Sequence, residues 1–234
     1  DLQCLVPGVT PNSLFTDWLR YDGCFALANA VRWGMERAAT SVPPPTGHFT
    51  WEELWAKDSP EAVFERAGWE SQPVKEWVEH DRYDDYWRRI DQRRMYSKVK
   101  VPGLHQAGWF DHISRGQFQA YNGIGEEGAT ERARKNQRLL VGPWGHSLAG
   151  TSYGDFEFGP AAALDYNLYQ QRFLDLWLRD KDDGISGEPP VHVFLMGANR
   201  WEHFEDWPVP RAETQQWHLH SDGDAAGLAG GGRL

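Results

Sequence analysis

Leu139–Gly150 reads LLVGPWGHSLAG. Arg138–Val141 is a short apolar strand, and the residues beyond it decide how the chain is built. One reading is a near-match to G-x-S-x-G, in which a strand turns sharply into a helix and presents Ser147 as a nucleophile. The other is a strand that ends in a Gly/Pro loop carrying His146. The first reading needs a strand running directly into the serine and a helix leaving it. Here Gly142-Pro143-Trp144-Gly145 separates strand from serine, and Leu148–Gly159, LAGTSYGDFEFG, holds three glycines without helical period. The second reading therefore fits better: a strand end with a histidine in the loop beyond it.

Working outward, SKVKVPGLHQAGWFD places a second strand at Val99–Ala107, closed by a turn at Gly108 and followed by Asp111. Ser114–Ile124 suits a helix, and Glu126–Asn136 a charged connection. Leu164–Arg179 is an amphipathic helix with Leu164, Leu168, Tyr169, Phe173, Leu176 and Trp177 on its apolar face. Before the Asp111 strand, Asn12 to about Tyr96 reads as short helices without strand signal. Phe25, Leu27, Ala28, Val31 and Met35 are at helical spacing, and starts fall at Thr50-Trp51-Glu52-Glu53, Ser59-Pro60-Glu61 and Pro73. Leu2–Val6 suits a buried strand. KDDGISGEPP is a linker, and VHVFLMG and TQQWHLHS alternate as strands of an all-β unit.

The 234 residues, 40% of them hydrophobic, suffice for a full core. Mean hydropathy is −0.66, and no apolar run is long enough to cross a membrane. A net charge of −10 opposes binding to nucleic-acid phosphates. Cys4 and Cys24 make neither a disulfide framework nor, lacking CxxC or paired histidines, a zinc site. No metal cluster and no phosphate-cradling glycine loop is visible, so no cofactor is expected. No signal sequence opens the chain, which favours a cytoplasmic protein. Thirteen tryptophans point to large aromatic cores or an aromatic-lined pocket.

Asp111 and His146 each follow their own strand, in the order acid then base. An acid held at one strand end can fix the tautomer of an imidazole held at the next and stabilise the imidazolium that forms. That order is the one found in α/β hydrolases, where acid and base sit in loops after late strands. Taken singly, an Asp after a Gly-Trp-Phe turn is a turn former, and a His in a Gly/Pro loop is structural. The pair is what carries the chemistry.

AGWFD at Ala107–Asp111 together with VGPWGH at Val141–His146 resembles the paired motifs of the CocE/NonD hydrolases, relatives of the X-Pro dipeptidyl-peptidases and α-amino-acid ester hydrolases. EHDRYDDYW (Glu79–Trp87) and Phe173–Pro208 are similar to further segments of that family. The resemblance implies an α/β fold: the C-terminal part of an α/β-hydrolase sheet with an inserted helical lid, followed by the start of a β-sandwich (jelly roll). On that reading residues 1–11 are hydrolase core, 12–97 the lid, 98–181 core again, and 189–234 the β domain. It implies a Ser-Asp-His triad with Asp111 as acid and His146 as base, and leaves Ser147 a bystander. The family's nucleophile motif and its oxyanion tyrosine are absent, so an internal piece of a larger enzyme is expected.

The expected activity is serine-type acyl transfer, cleaving esters, amides or X-Pro peptides, with a small-molecule ester as partner and homo-oligomer formation open. Relatives that take free α-amino esters carry acidic residues just past the Asp. Here the run is HISRGQF, which points to an apolar acyl group, with Ile113 and Trp144 lining its pocket. Two alternatives stand beside this: a small lipase-like esterase using Ser147, and a non-catalytic module binding ligands through its tryptophans.

Overall fold

The computed structural model describes residues 1–38, 52, 62, 72–221, 223 and 232–233. Its centre is a four-stranded sheet of β3 (Gly103–Gly108), β4 (Gln137–Gly142), β7 (Val191–Leu195) and β8 (Arg200–Phe204), in that order. β3 and β4 are parallel and paired from Gly103↔Gln137 to Gly108↔Gly142. β7 runs parallel to β4, and β8 turns back antiparallel. The N-terminal segment lies beside β3 through parallel bridges at Leu5↔Gly103 and Gly8↔Gln106.

Every residue of β3 and β4 is buried, as expected for parallel strands covered on both faces. Alternation then sorts the side chains. Leu104 and Leu140 join Tyr169 and Phe173 of the helix Tyr166–Arg179 on one face. Ala107, Leu139, Val141, Val191 and Val193 pack on the other with Tyr121, from the helix Ser114–Glu127. These two helices are α6 and α4, numbered after α1 (Leu27–Ala38), α2 (Gln72–Glu79) and α3 (Asp85–Arg88), with α5 at Glu131–Lys135 between them. Each connects two parallel strands, the crossover that parallel pairing requires.

Several expectations are corrected. Val191–Leu195 and Arg200–Phe204 do not open a separate β unit at residue 189; they extend the same sheet as β3 and β4. Their alternation misleads because β7 is buried on both faces up to Leu195. Of TQQWHLHS only His220–Ser221 is a strand, β9, paired with β10 at Gly232–Arg233. The stretch from Phe25 is not helical throughout. β1 (Arg20–Tyr21) and β2 (Cys24–Phe25) form a hairpin around Asp22-Gly23, both at positive φ (48° and 94°). β3 begins at Gly103 rather than Val99, because the 3-10 turn Gln92–Lys98 and Pro102 occupy the approach. The charged connection contains α5, whose Thr130 side chain accepts the Ala133 N–H as a cap. On α6, Leu168 is exposed while Tyr169 and Phe173 face inward. The starts at Thr50 and Ser59 lie outside the described residues apart from Glu52 and Ala62.

The sheet core also holds polar groups. His105 is fully buried, and its Nε2 contacts Gln137 Oε1 at 2.9 Å. Burial pushes its pKa down from about 6.5 to about 4. The unfolded chain therefore binds a proton that the folded protein refuses as pH falls from about 6.5 to about 4. Stability attributable to His105 is intact above that window and lost through it, with a slope of up to about 1.4 kcal/mol per pH unit. Urea unfolding across this range should show His105→Gln with a flatter pH dependence than the parent. Parallel curves would contradict the assignment.

Candidate active site

Asp111 and His146 lie just beyond the carboxyl ends of β3 and β4, where open α/β sheets place their ligands. The two loops are bound to each other. Trp109 donates its backbone N–H to Gly142 O (2.9 Å), and Phe110 donates to Trp144 O (3.0 Å). Trp109 Nε1 donates to Phe194 O of β7 at 2.8 Å. Gly108 makes this approach possible: a Cβ there would sit 2.1 Å from Trp144 O. Phe110 stacks at 4.5 Å on Tyr153 of β5 (Ser152–Tyr153), which pairs with β6 (Phe156–Glu157).

The carboxylate of Asp111 is fully buried, and Oδ1 accepts the Ile113 N–H at 3.2 Å. His146 is largely exposed, with Nδ1 3.3 Å from Asp111 Oδ1 and 3.4 Å from Oδ2. The contact is long and straddles both oxygens, a looseness common in catalytic pairs without substrate. It leaves Nε2 as the nitrogen available to a reacting group. A third group enters here: His112 Nδ1 is also 3.3 Å from Asp111 Oδ1, and its ring lies 5.8 Å from that of His146. Burial lowers the His112 pKa against the opposing pull of Asp111, and His146 lowers it further. Tyr21 of the hairpin donates its hydroxyl to His112 O at 3.0 Å. Burial and the charges of Asp111 and Asp17 push that phenol up to about 12, so it remains a donor.

A cleft of ≈ 700 Å³ opens beside His146, lined by Val9, Thr10, Pro11, Leu14, Trp18, Asn29, Arg32, Trp33, Trp77, His112 and Ile113. Trp18, Trp33 and Trp77 form a mutual aromatic cluster with centroids 5.1 to 5.5 Å apart. Ile113 reaches both the cleft and the buried cluster of Trp18, Leu19, Val31, Val74, Trp77 and Trp87. A depression of ≈ 640 Å³ around Gln3, Arg132, Leu176 and Trp177 lies apart from Asp111 and His146 and brings together no acid–histidine pair.

The structure thus brings Asp111, His146 and Ile113 together. It does not bring Trp144 to the cleft: its ring is buried, its Nε1 donates to Ala162 O at 2.9 Å, and it packs on Trp201. Gly142 has no side chain, and the Trp144 ring fills that space. The residues missed in sequence are His112, Tyr21, Trp18, Trp33 and Trp77. Only the tryptophan count pointed toward them. The expectation of no metal cluster also rested on spacing along the chain, whereas folding places His112 and His146 on one carboxylate. Ser147 is exposed in a turn, and the next described element is the short strand β5, not a helix. The positive φ (53°) falls on Leu148.

A family model described as X-Pro dipeptidyl-peptidase (S15 family) matches residues 1–148. Cocaine esterase of Rhodococcus sp. (strain MB1 Bresler) is 31% identical over 167 residues, covering 69% of this chain and 27% of that protein. The chain thus spans about a quarter of that relative's length. Among solved structures, an aminopeptidase from the marine sediment archaeon Thaumarchaeota archaeon superposes with a TM-score of 0.73 at 22% identity, over 94% of this chain and 36% of that one. An α-amino acid ester hydrolase superposes with a TM-score of 0.68 at 23% identity, over 88% of this chain and 35% of that one. These two likenesses show a shared α/β fold.

Proposed function

The chain belongs to the X-Pro dipeptidyl-peptidase (S15) family, and from that premise we propose that it supplies the acid and base of a serine acyl hydrolase. The observation that carries the reading is the buried Asp111 carboxylate facing His146 Nδ1 across two strand-end loops. His146 Nε2 would take the proton of a serine hydroxyl as its oxygen attacks the substrate carbonyl. Asp111 would hold the Nδ1–H tautomer and offset the imidazolium charge. His146 then returns the proton to the departing alcohol, leaving an acyl-enzyme, and activates a water for the second half.

Ser147 does not suit the nucleophile's part. No helix follows it to stabilise an oxyanion, and the strained backbone falls one residue later. The serine is proposed to come from a segment outside these 234 residues, a reading supported by the greater length of the relative. Residues 12–97 are read as a lid insertion, a reading supported by its described residues Leu14, Trp18, Trp33 and Trp77, which line the cleft beside His146. The substrate is read as an ester with an apolar acyl group. Leu14, the three tryptophans and Ile113 line the cleft, and no carboxylate among its described lining residues could hold an ammonium.

The test has two arms. The chain alone should not hydrolyse a p-nitrophenyl ester, and a fluorophosphonate should leave Ser147 unlabelled. In the full-length polypeptide, Ser147→Ala should keep turnover within about twofold of the parent. Labelling at Ser147, or its requirement for turnover, would replace this reading with the elbow.

A further inference from the structure

We propose that Asp111, His112 and His146 form a three-ligand site for a borderline divalent transition-metal cation, Zn²⁺ above all, and that occupancy removes His146 from service as a base. The donor set is one carboxylate oxygen and two imidazole nitrogens, a combination that suits Zn²⁺ and not the oxygen-seeking Mg²⁺ or Ca²⁺. A tetrahedral site with metal–ligand bonds of about 2.0–2.1 Å has edges of about 3.3 Å between ligand atoms. Asp111 Oδ1 stands 3.3 Å from His112 Nδ1 and 3.3 Å from His146 Nδ1. Two of the three edges thus already have the required length, and an Asp111 carboxylate oxygen and one ring nitrogen of each histidine lie within 4.8 Å of one another.

The parts differ in freedom in the way a capture site needs. The Asp111 side chain is fully buried and held by the Ile113 N–H, so it is a fixed anchor. The His112 and His146 side chains are 45% and 60% exposed. Their rings can rotate to close the remaining edge as a cation arrives from solvent. Both histidines line the cleft, so a fourth position would be open to water or a ligand there.

The consequence for His146 lies in its two nitrogens. A metal bound to Nδ1 displaces the proton from that atom. Nε2 then carries the ring's proton and has no lone pair to accept another. Metal capture and base function are mutually exclusive on one imidazole. The site itself rests on geometry alone; its inhibitory consequence rests on the proposed role of His146.

Zn²⁺ titrated calorimetrically into the chain should show one-to-one binding. Co²⁺ should give the visible absorption of a tetrahedral N/O site. His112→Ala and His146→Ala should each weaken Zn²⁺ binding by roughly tenfold or more, while His203→Ala on β8 leaves it unchanged. No binding, or an affinity untouched in His112→Ala, would overturn the site, the latter by placing the ion on other histidines. In the full-length polypeptide, Zn²⁺ should inhibit ester turnover, and His112→Ala should need more metal for the same inhibition. Metal bound through these residues with turnover unaltered would overturn the inhibitory role alone.

Discussion

Asp111→Asn in the full-length polypeptide should lower kcat for an ester by roughly 10⁴-fold, the usual cost of losing a triad acid's control of the histidine tautomer. The carboxylate accepts from His146 Nδ1 and leaves Nε2 with its lone pair. An asparagine can turn its own N–H₂ toward His146, which favours the opposite tautomer. Nε2 is then protonated and cannot take the serine proton. The buried position sharpens the effect, since Asp111 has no solvent to substitute for it. His146→Ala should cost more, on the order of 10⁶-fold, as when a base that acts with its nucleophile is removed. Single-turnover and steady-state rates would measure both, with circular dichroism to confirm folding. A loss of less than about tenfold in either variant would remove the pair from the chemistry.

Gly108→Ala is expected to be the most damaging small substitution at the ends of the strands. The added methyl would lie 2.1 Å from Trp144 O, 2.7 Å from its carbonyl carbon and 3.0 Å from Gly145 O. All three are backbone atoms, so no rotamer change relieves the clash. The loops carrying Asp111 and His146 must part, and their hydrogen bonds at Trp109 and Phe110 go with them. The cost should exceed the roughly 1–3 kcal/mol of ordinary overpacking, read as a fall in the urea midpoint. Gly187→Ala is the matched control. Its Cβ would meet nothing within 4 Å, and its effect should stay within about 0.5 kcal/mol. A Gly108→Ala protein as stable as that control would show that the loops do not meet as described.

What the sequence disclosed, and what it hid, divides by range of interaction. β4 and α6 were legible because their apolar residues are local and periodic, and the loops beyond β3 and β4 because glycine, proline and tryptophan punctuate them. The Asp22-Gly23 hairpin went unread although Asp-Gly is a strong short turn signal, because the helical spacing beginning at Phe25 masked it. β7 was assigned to the wrong unit because alternation cannot reveal which sheet a strand will join. Trp144 and Trp18 are the same residue type with opposite fates. Only the fold shows that the first fills the space over Gly142 and the second walls a cleft. His112 carried no signal of its own, being an ordinary residue beside an acid until His146 arrives on the same oxygen.

Ile113 stands between two regions that are usually kept separate. Its N–H donates to the Asp111 carboxylate, while its side chain belongs to the buried cluster built by Trp18, Val74 and Trp87. Were that cluster to open locally, as parts of a fold can without global unfolding, it would slacken the carboxylate before any strand separates. Heat inactivation would then run ahead of the loss of sheet structure, leaving a protein that is still folded and already idle.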